Sequence, residues 1–384
     1  MVDCVDRGRL EARLNQGRSL RIKFGVDPSA PDIHLGHTVP MRLLRRWQER
    51  GHVPVLIIGD YTARIGDPTG RSATRPQLSP DQVDANARTY LDQLFQVVDE
   101  SRAEVRRQSE WFTGFGLDQV LRLARTTTVA QLLQRSDFDQ RMRAEQPIGV
   151  HELFYPLLQG YDSVAVEADV ELGGTDQLFN LLRGREVQAA YGMPAQDIIT
   201  VPLLVGLDGQ RKMSKSLGNA VAVADPPGQQ FGQLMSVPDP LILPYLELLT
   251  EADPDELRTM RRGLDEGTLH PRDLKALMAA RVVAQFHGEE AARAASFEFD
   301  TVFRDHQLPA DVPEIRIDRE VVDVRELLVE AGLAGSRSEA VRLVTQGGVR
   351  IDDSLVQSWK DPVRLSDGAV LRVGKRRLVR LRLP

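Results

Sequence analysis

Apolar and polar positions alternate along the chain in blocks that predict secondary structure before any chemistry is considered. LRIKFGVD (20–27) is a dense apolar run closed by the turn residues DPSAPD, and it reads as a buried strand. HTVPMRLLRRWQERGH (37–52) sets Val39, Leu43, Leu44 and Trp47 on one helical face and its arginines on the other, with Pro40 expected in the first turn. VPVLIIGD (53–60) is almost continuously apolar, as a strand covered on both faces should be. Strand, helix and strand in close succession make a βαβ unit and predict a parallel sheet. Residues 81–144 read as helical and charge-rich. ADVELGG (168–174) and DIITVPLLVG (197–206) read as two further strands, separated by a helix over TDQLFNLLRGREVQAAYG. The loop LDGQRKMSKSLGN (207–219) follows, and then the Pro/Gly-rich DPPGQQFGQLMSVPDP marks a boundary. Residues 226 to 305 read as mostly helical, HQLPADVPEI (306–315) as a linker, and the remainder as helix, turn, helix and short strands. No internal repeat or low-complexity tract occurs.

Composition narrows the class. The chain has 384 residues, enough for two or three domains with a large core. Its single cysteine, Cys4, lies at an end expected to be mobile; it allows neither a disulfide frame nor a thiolate metal cluster, which suits a reducing cytoplasm. No apolar run reaches 18 residues and the first ten lack an apolar leader core, so neither membrane spanning nor secretion is expected. The net charge of −6 is unevenly spread: residues 323–384 carry 12 Lys and Arg against 8 Asp and Glu, so the rest of the chain is the more acidic. A basic tail on an acidic body suits a polyanionic partner, although a solvated charged surface gives the same count.

Three groups of residues carry candidate chemistry. His34 and His37 flank Gly36 where the first strand gives way to a helix. A helix N-terminus attracts phosphate through its free N–H groups and dipole, and imidazoles there can add donors. The alternatives are a metal site, for which no nearby carboxylate or cysteine cluster stands ready, or ordinary capping histidines. Lys212 and Lys215 lie in KMSKS (212–216), on a glycine-flanked loop; two ammonium groups there can grip a triphosphate, or form a solvated basic turn. The two motifs lie far enough apart in sequence to face each other across the carboxyl edge of a nucleotide-binding sheet. Tyr155, Gln159 and Asp162 share one helical face, so one helix can offer a hydroxyl, an amide and a carboxylate to one small ligand; the alternative is a capped helix with a structural Asp.

HLGH together with KMSKS resembles the two signatures of class I aminoacyl-tRNA synthetases. GDPTGRS (66–72), YPLLQGYD (155–162) and GGTDQLFN (173–180) extend the resemblance to the bacterial tyrosyl branch, in the subgroup that keeps KMSKS. The resemblance implies an α/β fold: a Rossmann-like catalytic domain over 1–225 with a helical dimerisation insert at about 98–150. A helical anticodon-side domain over 226–310, a linker over 311–322 and an S4-like RNA-binding domain over 323–384 follow. It implies a ligase that joins tyrosine to its tRNA with ATP and substrate-borne Mg²⁺, as a cytoplasmic homodimer. Catalytic roles fall on His34, His37, Lys212 and Lys215. Gly25, Asp27, Ser29, Gly36, Gly174, Asp176, Ser214 and Ser216 would join them around ATP. Asp67, Tyr155, Gln159, Asp162 and Gln177 would hold tyrosine, with Asp162 on the phenol. Arg337, Arg342, Arg350, Lys375, Arg376 and Arg377 would meet RNA.

Two positions depart from the family pattern. A common form of the family has a second phenol-contacting Tyr where this chain has Lys23, and Arg71 replaces a Lys. Rival readings are tryptophanyl specificity, a relative that binds RNA without catalysis, and a nucleotidylyltransferase. On the ligase reading, the carboxylate attacks the α-phosphorus without a general base. The two histidines, the two lysines and Mg²⁺ offset the charge that builds.

Overall fold

The computed structural model describes residues 3–28, 32–67, 78–304, 312–352, 354–374 and 377–383. Ser29, Lys375 and Arg376, and positions 68–72 of GDPTGRS with Arg71, lie outside the described residues. The chain divides into two compact units, Met1–Ser296 and Phe297–Pro384.

The larger unit is built on a six-stranded sheet of β1 (Asp3–Val5), β2 (Arg21–Val26), β3 (Val53–Ile58), β4 (Glu104–Arg107), β5 (Val170–Gly174) and β6 (Asp197–Val201). Their order is β1-β6-β5-β2-β3-β4, parallel throughout except for the antiparallel edge strand β1. Strand β6 is buried at every position and β3 at all but its first, as a sheet covered on both faces requires. Helices α1 (Arg7–Asn15), α2 (Leu35–Glu49), α3 (Thr62–Ile65), α4 (Pro80–Leu94), α5 (Ser109–Phe112), α6 (Leu117–Ala124), α7 (Val129–Leu132), α8 (Ser136–Arg143), α9 (Val150–Ala165) and α10 (Leu178–Ala190) connect and flank the strands. Beyond the sheet come α11 (Pro227–Met235), α12 (Ile242–Leu249), α13 (Pro254–Asp265) and the long α14 (Pro271–Arg304), which is kinked at Gly288 with φ 85°. Among the described residues no helix is long and apolar enough to cross a membrane.

Four expectations are corrected. The stretch read as uniformly helical over 81–144 contains β4. Its sequence, EVRR, carries charge at the sheet edge and has no apolar run to betray it. Helix α2 begins at Leu35, two residues earlier than expected, so Pro40 lies in its second turn and withholds a hydrogen bond from the carbonyl of Gly36. Cys4 sits in β1, paired with Ile199 of β6, rather than in a loose terminus. The stretch 311–322, read as a linker, supplies β7 (Glu314–Arg316) and β8 (Val321–Val322).

In the smaller unit, α15 (Val324–Glu330) and α16 (Arg337–Thr345) accompany β9 (Val349–Ile351), β10 (Ser354–Leu355), β11 (Val363–Arg364), β12 (Val370–Val373) and β13 (Arg377–Arg382). The main sheet runs β10-β9-β12-β13-β7, and β11 pairs with β8. Ile317, Leu327, Leu328, Leu371 and Leu381 are among the residues of its own core.

Candidate active site

Strand β2 lies between β3 and β5, with its chain connections leaving in opposite directions. A crevice opens at such a switch point beyond the carboxyl ends of the strands. A cavity of about 480 Å³ occupies it. Its walls include Gly25, Asp27, His34, Gly36, His37, Asp67, Tyr155, Gln159, Asp162, Gly174, Asp176, Gln177, Lys212, Ser214 and Ser216. Every residue expected around ATP or tyrosine is thus in this one crevice, apart from the undescribed Ser29 and Lys215. Lys215 stands outside the walls, its Nζ 2.8 Å from Asp32 Oδ2.

The two signature motifs meet through backbone pairing. Leu35 N–H donates to Val221 C=O and Val223 N–H to Ile33 C=O, so the chain leaving the KMSKS loop runs beside the histidine motif. His34 caps α2: its Nδ1 accepts from Gly36 N–H at 3.2 Å, and His37 Nδ1 accepts from His34 N–H at 3.1 Å. Both Nδ1 atoms are acceptors, so each neutral ring carries its proton on Nε2. Burial, with a smaller push from His37 and the two lysines, drives the His34 imidazole down to about 2. Burial also takes His37 down to about 4, with the Lys215 charge pushing the same way. The pair therefore offers neutral N–H donors at physiological pH, not the positive charge expected of it. Gly36 sits in a crowded place: a Cβ there would lie 3.0 Å from the His34 ring, which would have to shift to admit it.

The lysine loop is a tight hairpin. Val205 bridges Lys212, and Asp208 accepts from the N–H groups of Gln210 and Arg211, which hold its carboxyl down to about 2. Asn219 braces the loop, accepting from Ser214 N–H and donating to Asp208 and to Lys212 C=O. Lys212 Nζ lies 2.8 Å from Asp176 Oδ2, on a partly exposed side chain.

The opposite end of the crevice is buried. Tyr155, Gln159 and Asp162 line it from α9, as their spacing predicted. Tyr155 Oη donates to Asp27 Oδ2 at 2.8 Å, and Thr62 Oγ1 donates to Asp27 Oδ1 at 2.7 Å. Burial and the adjacent Asp27 push the Tyr155 phenol upward, so it stays protonated. Asp67 accepts from Gln177 Nε2 at 2.8 Å and pairs with the buried Arg135 at 2.8 Å. Asp162 is 2 % exposed and accepts from Gln108 Nε2 at 2.8 Å and Trp111 Nε1 at 3.2 Å. Burial raises its carboxyl to about 7, against the nearby Lys23 charge and those two hydrogen bonds.

Sequence reasoning missed Gln108, Trp111, Arg135 and Glu171. None belongs to a motif; each reaches the site through the fold. Gln108 Oε1 is fixed by Thr62 N–H at 2.9 Å and Tyr61 N–H at 3.2 Å, which turns its Nε2 toward Asp162.

Of the expected RNA-facing residues, Arg337 and Arg342 lie on α16, Arg350 on β9 and Arg377 on β13. Arg337 pairs with Glu326, and Arg377 donates to Leu333 C=O. Arg350 stands opposite Arg372 across the β9–β12 pair.

The family model described as tRNA synthetases class I (W and Y) matches residues 15–304. The chain belongs to this family. An S4 domain model matches residues 326–368. A tyrosine–tRNA ligase of Moorella thermoacetica is 49% identical over 98% of this chain and 91% of its own length. Another, from Thermotoga maritima, is 47% identical over 99% and 95%. Among solved structures, the tyrosyl-tRNA synthetase of Archaeoglobus fulgidus complexed with L-tyrosine aligns with a TM-score of 0.63 at 24% identity, over 76% of this chain and 95% of that one. The tryptophanyl-tRNA synthetase of Plasmodium falciparum aligns with a TM-score of 0.60 at 16% identity, over 76% and 82%. Likeness of fold therefore does not separate tyrosine from tryptophan; the close relatives all point to tyrosine.

Proposed function

We propose that this crevice activates L-tyrosine with ATP, and that the chain then transfers the tyrosyl group to the 3′ end of its tRNA. The observation that carries the reading is the placement of Asp162. It is a buried carboxylate at the inner end of a crevice whose outer end carries both histidines and the lysine loop. A phenol hydroxyl can donate to Asp162. Phenylalanine would bring an apolar ring edge against a buried carboxylate that then keeps only its Gln108 and Trp111 donors, so the phenol's added hydrogen bond is what favours tyrosine. Asp67, Tyr155, Gln159 and Gln177 surround the α-carbon end, and Gly25, Asp27, Gly174 and Asp176 line the nucleotide side.

In the first step a carboxylate oxygen of tyrosine attacks the α-phosphorus, the bond to the bridging oxygen breaks, and pyrophosphate leaves. The carboxylate is already ionised, so no base is needed. His34 and His37 donate neutral Nε2–H groups to phosphate oxygens. Lys212 and Lys215 exchange Asp176 and Asp32 for the charge moving onto pyrophosphate. Mg²⁺ arrives with ATP as part of the substrate. In the second step a terminal ribose hydroxyl attacks the acyl carbon and AMP departs.

Two further readings support assembly and partner. Leu117, Val129 and Val150 are 73 %, 62 % and 72 % exposed on α6, α7 and α9, and these exposed apolar side chains of the insert suit contact with a second copy of the chain. The arginines of α16, β9 and β13 suit the phosphate backbone of tRNA. The single cysteine suits the cytoplasm, where tRNA is charged. Pyrophosphate exchange measured with tyrosine, tryptophan and phenylalanine in turn tests the activity: tyrosine alone should support it, and exchange with none would end the ligase reading. A monomer in sedimentation would remove the dimer.

A further inference from the structure

The position that departs from the family pattern, Lys23, does not line the crevice. It is fully buried in β2, the central strand. We infer that Lys23 and Glu171 form a positioning pair for tyrosine, fixing from beneath both the amide of Gln159 and the helical turn that carries Asp162. This rests on the reading of the crevice as a tyrosine site. The Lys23 ammonium donates to Gln159 C=O at 2.7 Å and to Ser163 Oγ at 2.8 Å, and lies 2.9 Å from Glu171 Oε1. Those three partners use its three protons, so none is left for a substrate. Two of them belong to the turn of α9 between Gln159 and Ser163, and Asp162 lies on that turn.

Glu171 completes the arrangement. Its Oε1 accepts from Gln159 Nε2 at 3.2 Å, and its Oε2 accepts from Ser163 Oγ at 3.4 Å and from Gln196 Nε2. An amide whose Nε2 is held by a buried carboxylate presents Oε1 to its other side. Gln159 thereby offers the crevice an acceptor, which is the polarity a substrate ammonium needs. Glu171 is 1 % exposed. Reversing the Gln159 amide would set its oxygen against the Glu171 carboxylate, so the ion pair selects one orientation.

The pair also sets the charge balance around Asp162. The groups facing that carboxyl are Lys23 from β2, Glu171 from β5, and the N–H donors of Gln108 and Trp111 at and beside α5. Lys23 favours its ionised form and Glu171 opposes it, with Lys23 the stronger of the two. A phenol donates more strongly to the ionised form than to the neutral acid, so tyrosine binding weakens as pH falls through the titration of Asp162. Removing Lys23 moves that limb up in pH; removing the Glu171 charge moves it down.

The test measures KM for tyrosine and for ATP by pyrophosphate exchange from pH 5.5 to 9 (roughly two pH units on either side of the Asp162 carboxyl). The proteins are the wild type, Lys23→Met and the near-isosteric Glu171→Gln. In Lys23→Met, KM for tyrosine should rise about tenfold and KM for ATP stay within about twofold, with the tyrosine limb displaced upward. In Glu171→Gln the limb should move downward. Wild-type tyrosine KM in both variants, or limbs that stay put or move together, would overturn the positioning role and leave a structural ion pair. Should Lys23→Met fail to fold, the direction of the Glu171→Gln limb decides alone. Wild-type protein inactive with tyrosine would instead bring down the proposed function itself.

Discussion

The two ends of the crevice are both polar, yet they are built in opposite ways. At the end proposed for the amino acid, Lys23, Glu171 and Asp162 have almost no exposure, and the side chains around them hold one another through hydrogen bonds. At the end proposed for phosphate, the Lys212 and Lys215 side chains are 45 % and 38 % exposed and rest on carboxylates that are themselves partly exposed. Buried ion pairs hold one geometry, because releasing either partner leaves a charge without water. Exposed pairs are exchanged at little cost, since water replaces the lost partner. The rigid end suits discrimination between similar side chains. The exchangeable end suits charge that moves during reaction from a carboxylate and a triphosphate to a pyrophosphate.

This contrast can be broken by experiment. The largest effect is expected at the exchangeable end: Lys212→Ala with Lys215→Ala should lower kcat for adenylate formation by about a thousandfold and leave the tyrosine KM nearly unchanged. A matching rise in tyrosine KM would show that the two ends are not separate. Asp162→Asn should lower kcat/KM for tyrosine by about a hundredfold and narrow the preference over phenylalanine. In the wild type, tyrosine KM should increase about tenfold per pH unit below the Asp162 titration near 7, while ATP KM follows no such limb. The sign follows from the direction of the shift: the carboxyl is raised, so its ionised form is lost before that of an ordinary aspartate as pH falls. Thermal or denaturant unfolding gives the stability comparison. Lys23→Met should cost about 3–5 kcal/mol by stranding Glu171, whereas Lys215→Ala should cost less than about 1 kcal/mol. The smallest effect is that of salt, which should raise ATP KM a few-fold and leave tyrosine KM unmoved, because only exposed charges are screened.

The apolar blocks at 20–27, 53–60, 168–174 and 197–206 were enough to read the central strands and their parallel pairing. The strand at Glu104–Arg107 was not legible, because an edge strand facing solvent needs no apolar run. The candidate motifs were legible because the roles proposed for them, meeting phosphate and a phenol, call for particular residue types whatever surrounds them. The protonation of the histidines was not, since it depends on burial and on the backbone N–H groups each Nδ1 meets. Nor was the second layer of the amino-acid end. Gln108 and Trp111 come from the segment after β4 and Glu171 from β5, and nothing in their local sequence distinguishes them from other polar residues.

The sequence by itself determined the periodicities of the central elements, the three residues of α9 on one face, and the motifs proposed to meet charged substrates. These depend on spacings of a few residues and on the chemistry of single side chains. Only the tertiary structure decided that Lys23 turns away from the ligand to meet Glu171, that Asp162 is buried with a raised carboxyl, and that Lys215 rests on Asp32. Each of these is a matter of distance and solvent access between residues far apart in the chain, and linear order carries no direct record of either.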